Sequence, residues 1–406
     1  MRTISLLALG LLGIGAVSYQ PRAAARPTPV AARPTAPAPA ADVLRLANAF
    51  LATLTAAQRQ AVIADFTAAN AAKWSNLPFS IVPRLGLPLS KLSAPQAAAA
   101  LAVVRAATGP AANEGYDEIQ QLRAADDNLA AVPASASRGP MGPPPGGGPG
   151  GPPPGAGGGP PGQGPGGGPP PGRPGGGPGG LEYGSGLYSI AFLGTPSATT
   201  PWMLQFGGHH LATNITFGNG AVTGASPKFE GTEPLRFTTT NAKVLPKGTT
   251  CAPLRHEAGA MLALLGSLSP AQKTQAKLKQ AFFDVVVGPG HDGDFPATKV
   301  GVAGSALSAS QRALLLAAMK PWVQDADPAT AARLLADYEQ QLAGTHVAYA
   351  GTGALTARGD YVRLDGPGVW IELVCQDGIV YRNQIHYHSI WRDHTRDYGG
   401  NFYSAR

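Results

Sequence analysis

Apolar residues along the chain gather into two kinds of segment. The first is long and rich in Ala and Leu, and four such segments open on one signature: Leu54-Thr55-Ala56-Ala57-Gln58, Leu92-Ser93-Ala94-Pro95-Gln96, Leu268-Ser269-Pro270-Ala271-Gln272 and Leu307-Ser308-Ala309-Ser310-Gln311. Each signature is a capping box. The Ser or Thr oxygen accepts from a free N–H of the first turn, and the Gln reaches back to the cap. Helices are therefore predicted to begin near residues 56, 94, 270 and 309. The second kind is short and strand-like: Ala191-Phe192-Leu193, Trp202-Met203-Leu204 and Val369-Trp370-Ile371-Glu372-Leu373-Val374.

These parts recur in one order. Phe50-Leu51-Ala52-Thr53-Leu54-Thr55 aligns with Leu264-Leu265-Gly266-Ser267-Leu268-Ser269. Arg84, Gly86, Ser90, Leu92, Ser93 and Gln96 align without a gap with Lys299, Gly301, Ser305, Leu307, Ser308 and Gln311. Each half then reaches a Trp-bearing run followed by a histidine pair, His209-His210 in one and His386-x-His388 in the other. The pattern predicts an α+β fold of two similar halves, residues 42–220 and 252–406, from an internal duplication. Each half is expected to have helices followed by a small, mostly antiparallel sheet.

Composition changes this picture in two places. Residues 139–180 hold 22 Gly and 16 Pro in 42 positions, which leaves almost nothing to bury and marks a disordered insert. At the N-terminus, Arg2 precedes a run of fourteen apolar or small residues, Ile4–Val17, shorter than the ~20 of a membrane-spanning helix. That is the pattern of an export signal over residues 1–25, cleaved after Ser18 or Ala25, followed by a Pro/Ala-rich tether over 26–41. The expected location is the periplasm or the exterior, with no membrane span after cleavage. Net charge is +7, but the 31 Lys and Arg are scattered among 24 acids without a basic run, which argues against nucleic acid as a partner. No P-loop or Rossmann fingerprint is present, so no nucleotide cofactor is expected. The two cysteines, Cys251 and Cys375, suit either a disulfide in an exported protein or two buried thiols.

Several stretches resemble one family. They are Lys73-Trp74-Ser75-Asn76-Leu77-Pro78, Gly194-Thr195-Pro196-Ser197, the run from Trp202 through Gly207-Gly208-His209-His210-Leu211-Ala212-Thr213-Asn214, and His386-Tyr387-His388-Ser389 with Arg392-Asp393 and Asp397-Tyr398-Gly399. Together they are similar to the bacterial "domain of unknown function" family numbered 3500. The resemblance spans nearly all of the chain after the export signal and implies one family domain over 42–406. It implies no activity.

The candidate chemistry lies in the histidines. Five of the eight fall in two clusters: His209, His210, His386, His388 and His394. On a strand His386 and His388 point to one face, roughly 7 Å apart at Cα, which suits two ligands of one metal. Gly207-Gly208 permits a turn that brings in a third ligand, His209 or His210 with His210 preferred, and leaves the other as acid/base or substrate contact. Asn214 and Asp393 are candidate orienting groups, and Arg392 a candidate anion-holding group. Nitrogen ligation suits Zn, Cu, Fe or Ni. The leading reading is an exported metal-dependent hydrolase or oxidoreductase acting on a small-molecule or polymer ligand. The alternatives are a non-catalytic envelope protein binding a metal or small ligand, and a structural surface protein. Arg255-His256-Glu257 reads as an exposed first helical turn, and Glu230 and Glu233 as members of a solvated Pro/Gly loop.

Overall fold

Each predicted capping box is formed. A computed structural model describes residues 39–133 and 182–403, and helices start at Ala56, Ala94, Pro270 and Ala309, with the Thr or Ser oxygen and the Gln side chain bonded reciprocally. The first half carries α1 (Pro39–Ala52), α2 (Ala56–Val62), α3 (Ala68–Ala71), α4 (Ala94–Ala107) and α5 (Gly115–Ala130). The second carries α6 (Arg255–Ser267), α7 (Pro270–Ala276), α8 (Ala309–Gln324) and α9 (Pro328–Gln340). The last residues assigned to the tether, from Pro39 on, already belong to α1. The export signal and the Gly/Pro-rich stretch lie outside the described residues. No helix among the described residues is long and apolar enough to cross a membrane.

Strands β1 (Ile63–Ala64), β2 (Leu87–Pro88), β3 (Ser189–Leu193), β4 (Trp202–Gly208), β5 (Leu211–Gly218), β6 (Ala221–Gly224) and β7 (Lys228–Thr232) come first. A two-stranded ribbon of β8 (Phe237–Thr238) and β9 (Thr250–Cys251) follows. The remainder are β10 (Val302–Ala303), β11 (His346–Ala350), β12 (Tyr361–Asp365), β13 (Val369–Asp377) and β14 (Ile385–Asp393). The fold is α+β as expected, but the two small sheets are one. A single sheet of 12 strands runs β1-β3-β4-β5-β7-β14-β13-β12-β11-β10, with β2 beside β3 and β6 beside β5. Among the described strands only the β1–β3 pair is parallel. The halves fuse because β7, which lies beyond residue 220, pairs antiparallel with β14 from Lys228–Trp391 to Thr232–Tyr387. Each half thereby covers the other's open edge, which would otherwise expose unpaired N–H and C=O groups.

Strand alternation then sorts the core. One face of the sheet packs on helices: Phe192, Leu204, Phe206 and Ile215 against α1 and α4, and Val347, Ile371, Leu373 and Trp391 against α6, α8 and α9. The other face, with Met203, Phe229, Trp370, Val374 and Ile390, is covered by loop segments that include Trp74, Phe282, Val287 and Tyr398. Cys251 and Cys375 are both buried and free, so the disulfide is not formed.

Candidate metal centre

The centre is built across β7 on the loop-covered face. Gly208 ends β4 and Leu211 begins β5, so His209 and His210 make up the whole turn. His210 adopts a left-handed φ of 59°, a region histidine enters more readily than most residues. Its N–H donates to the Asn76 carbonyl (3.0 Å), and its own carbonyl accepts from Gly231 N–H on β7 (2.8 Å). On the other side of β7, His388 of β14 stands opposite Gly231 in register. The residue between the two imidazoles therefore has no side chain. A Cβ on Gly231 would lie 2.9 Å from His210 Cδ2 and 3.0 Å from His388 Cδ2.

Over this gap the rings converge. His388 Nε2 lies 3.2 Å from His210 Nε2 and 3.2 Å from His386 Nε2, and the three ligating atoms fall within 4.8 Å of one another. Nitrogens bound tetrahedrally to an ion at ~2.05 Å lie about 3.3 Å apart, so the spacing already fits a metal. Burial, then the neighbouring imidazoles, hold the pKa of His210 and of His386 well below the usual histidine value. Their lone pairs are thus free at neutral pH. His388 Nδ1 meets Asp284 Oδ1 at 3.0 Å and Gln376 Nε2 at 2.8 Å. The tautomer that donates Nδ1–H to Asp284 presents the Nε2 lone pair to the other two rings.

His209 stands beside this set. Its ring stacks on His210 with centroids 3.7 Å apart, and its Nδ1 meets the buried Asp126 at 2.7 Å. The Tyr188 hydroxyl donates to the His209 carbonyl (2.8 Å) and steadies the turn. All four histidines line a cavity of about 490 Å³ that also involves Ser75, Asn76, Tyr183 and Val285. Leu77, Ile81 and Ile379 line the same cavity and are exposed.

The other candidates lie apart from the histidines. Asn214 is a cross-strand partner of Gln205, whose Nε2 donates to it at 3.0 Å, and it donates to the Pro227 carbonyl at 2.8 Å. Arg392 is fully buried and spends its donors on Val287, Gly288, Asp292 and Asp397, which fixes the loop next to the cavity wall. Asp393 accepts from the Tyr338 hydroxyl (2.7 Å) and caps the following turn through Thr395 and Arg396. His394 packs on Phe295 with centroids 4.0 Å apart. Sequence reasoning missed Asp126, Asp284, Gln376 and Gly231. None belongs to a local motif with the histidines, and only the sheet register brings them there.

Three acidic residues are not in solvent as the sequence suggested. Glu257 and Glu230 are wholly buried, and Glu233 is buried and accepts from the N–H groups of Val380 and Tyr381 at 2.7 Å each. Strand β7 explains two of them: it carries Glu230 under the helices and delivers Glu233 to the 380–381 turn.

The chain belongs to the family described as "Protein of unknown function (DUF3500)", whose pattern matches residues 36–400. No curated protein and no solved structure matches it.

Proposed function

For this member of a family without an assigned activity, we propose an exported metal-dependent enzyme, with His210, His386 and His388 holding one transition-metal ion. The observation that carries the reading is the convergence of three Nε2 atoms beside an open cavity, with His388 Nε2 3.2 Å from each of the other two. Three protein nitrogens with cavity space beside them leave a coordination position for water or substrate, the pattern of catalytic rather than structural sites. Nitrogen donors favour Zn, Cu, Fe or Ni over calcium or magnesium. A bound ion of this kind would supply a water acidified towards neutral pH.

The neighbouring residues favour hydrolysis over oxidation. His209, tied to Asp126 through Nδ1, leaves Nε2 to take or return a proton, the arrangement of an oriented acid/base group. Asp284, accepting from His388 Nδ1–H, holds the His388 ring in place. The exposed apolar side chains Leu77, Ile81 and Ile379 suit a substrate with an apolar portion next to the bond cleaved.

Metal analysis of purified protein is the first test, with a turnover screen against ester, amide and phosphoester substrates with and without chelator. One equivalent of transition metal and chelator-sensitive turnover are expected. His388→Ala should lose the metal and keep a cooperative melt within a few degrees of wild type. Wild-type protein that takes up no transition metal when loaded and dialysed would sink the reading, whereas metal without turnover would leave a binding protein.

The same reading takes the chain as an ancient duplication. Strands β3, β4, β5 and β7 on one side of the β7–β14 junction are mirrored in order by β11, β12, β13 and β14 on the other. Gly86 (φ 83°) and Gly301 (φ 104°) support it further, since a Cβ at either would strike a carbonyl of the first long strand, Ile190 at 2.0 Å and Val347 at 2.1 Å. Superposing α4 through β3 on α8 through β11 tests this, and a fit no better than that of unrelated helix–strand units would remove it.

A further inference from the structure

Opposite the histidine centre, on the helix-covered face of the same strand β7, lies a second concentration of charge. Glu114 immediately precedes α5, Glu118 lies in its first turn, Glu257 lies in the first turn of α6, and Asp325 follows the last residue of α8. Lys228 and Glu230 project from β7 into the same space, and Lys228 Nζ pairs with Glu230 (2.6 Å) and with Asp325. All six residues are buried.

The hydrogen bonds divide these carboxylates in a telling way. Glu114 Oε1 is held by His256 Nδ1 (2.6 Å), Glu118 Oε1 accepts from Leu254 N–H (2.8 Å), and Asp325 Oδ1 accepts from Gly115 N–H (2.5 Å). The second oxygens, Glu114 Oε2 and Glu118 Oε2, have no hydrogen-bond partner, and neither oxygen of the wholly buried Glu257 has one. A buried carboxylate without any partner is expensive to keep, and here several point at one another with ligand atoms within 4.8 Å. One oxygen fixed from behind and one left bare is how carboxylates are oriented toward a metal.

We infer that Glu114, Glu118, Glu257 and Asp325 bind a hard divalent cation of the calcium type. The donors are all carboxylate oxygens, which excludes the preference for nitrogen and sulfur shown by the transition metals. Burial disfavours magnesium, which keeps several waters, and the four bare oxygens, Glu114 Oε2, Glu118 Oε2 and both of a bidentate Glu257, supply at least half of the six to eight that calcium takes, with Asp325 Oδ2 as a fifth shared with Lys228. Lys228 offsets part of the negative charge and stays with Glu230. The ion joins α5 of the first half to α6 and α8 of the second, so its role is to hold the helical layer together beneath β7.

The competing occupant is a set of protons. Burial, followed by repulsion from the neighbouring carboxylates, pushes Glu114 up to about 10 and Glu118 and Glu257 well above the usual range when no cation is present. Full-length protein, stripped with chelator and re-equilibrated with calcium, decides between them by elemental analysis and thermal melting. The expected result is one calcium per chain in wild type and in His388→Ala, with the Tm falling by about 5 °C or more on chelation and recovering with calcium. Glu257→Gln should lose the calcium and keep the transition metal of the histidine centre. Wild-type protein that retains no calcium and melts at the same temperature with or without it would overturn the inference in favour of protons. That measurement needs no variant, so it decides even if Glu257→Gln fails to fold.

Discussion

At the scale of single residues the histidine centre depends on an absent side chain. Gly231 sits between His210 and His388, and the close approach of their rings requires it. Gly231→Ala would place a methyl group against both Cδ2 atoms and the Tyr387 carbonyl at 2.9–3.0 Å. Overpacking of this kind costs ~1–3 kcal/mol of stability. Its larger effect should be on the metal, because the rings must separate. We expect transition-metal affinity to fall about tenfold or more, as for losses of supporting groups around metal ligands, while the protein stays folded. Competition against a chromophoric chelator measures this, and unchanged affinity would show that the rings meet without needing the gap. Legibility at this scale followed chain distance. The facing of His386 and His388 comes from strand alternation and is readable locally, whereas the turn expected at Gly207-Gly208 is made by His209 and His210 themselves, and the two glycines are paired residues of β4. Asp126 lies 83 residues before His209, and Asp284 lies 104 before His388, and no local pattern announces either contact. Asn214 was a candidate only because it is near the turn in sequence, and the register hands it to Gln205 instead.

At the scale of elements, helix starts are legible in the sequence and strand pairings are not. A capping box is completed within four residues, so the sequence alone places four helix starts. The histidine pairs, by contrast, do not occupy matching strands: His209-His210 follow the second strand of the first mirrored set, and His386 and His388 lie on the fourth of the second. They meet because β7 is inserted between β5 and β14, a pairing that short strands do not advertise. The capping glutamines also do more than cap. Gln272 and Gln311 exchange amide hydrogen bonds at 3.1 and 2.8 Å, and Gln311 further donates to the Ser267 carbonyl (2.8 Å), as Gln58 and Gln96 do in the first half. Each such residue links two helix starts. Gln272→Ala and Gln311→Ala should each cost about 1 kcal/mol, the usual net value of a lost hydrogen bond. The double variant should cost less than the sum by ~0.5 kcal/mol or more, since the first substitution already breaks the shared contact. Urea unfolding of the four proteins gives the coupling, and strict additivity would show that the two caps act independently.

At the scale of the whole molecule the halves are not separable bodies. The sequence pattern predicts a division between residues 220 and 252, but physical contacts cross it on both faces of the sheet. On the loop-covered face the Trp74 indole donates to the Tyr398 hydroxyl at 2.7 Å, and Arg392 lies 5.4 Å over the Trp74 ring. On the helical face Gly109 N–H donates to the Asp325 carbonyl at 2.8 Å, and Leu254 N–H to Glu118. Between the faces, β7 and β14 share five register pairs. Unfolding either half alone would bare a sheet edge, strip one wall from each charged site and leave buried carboxylates facing water from one side only. Such partial states are costly compared with native stabilities of ~5–15 kcal/mol. We therefore expect calorimetry of the full chain, with metals controlled, to show a single transition whose van't Hoff and calorimetric enthalpies agree. Two resolved transitions, or an enthalpy ratio near one half, would mean that each half keeps a core of its own. The junction at β7 and β14 would then join two independent bodies, and the histidine centre would be a contact between them rather than part of one fold.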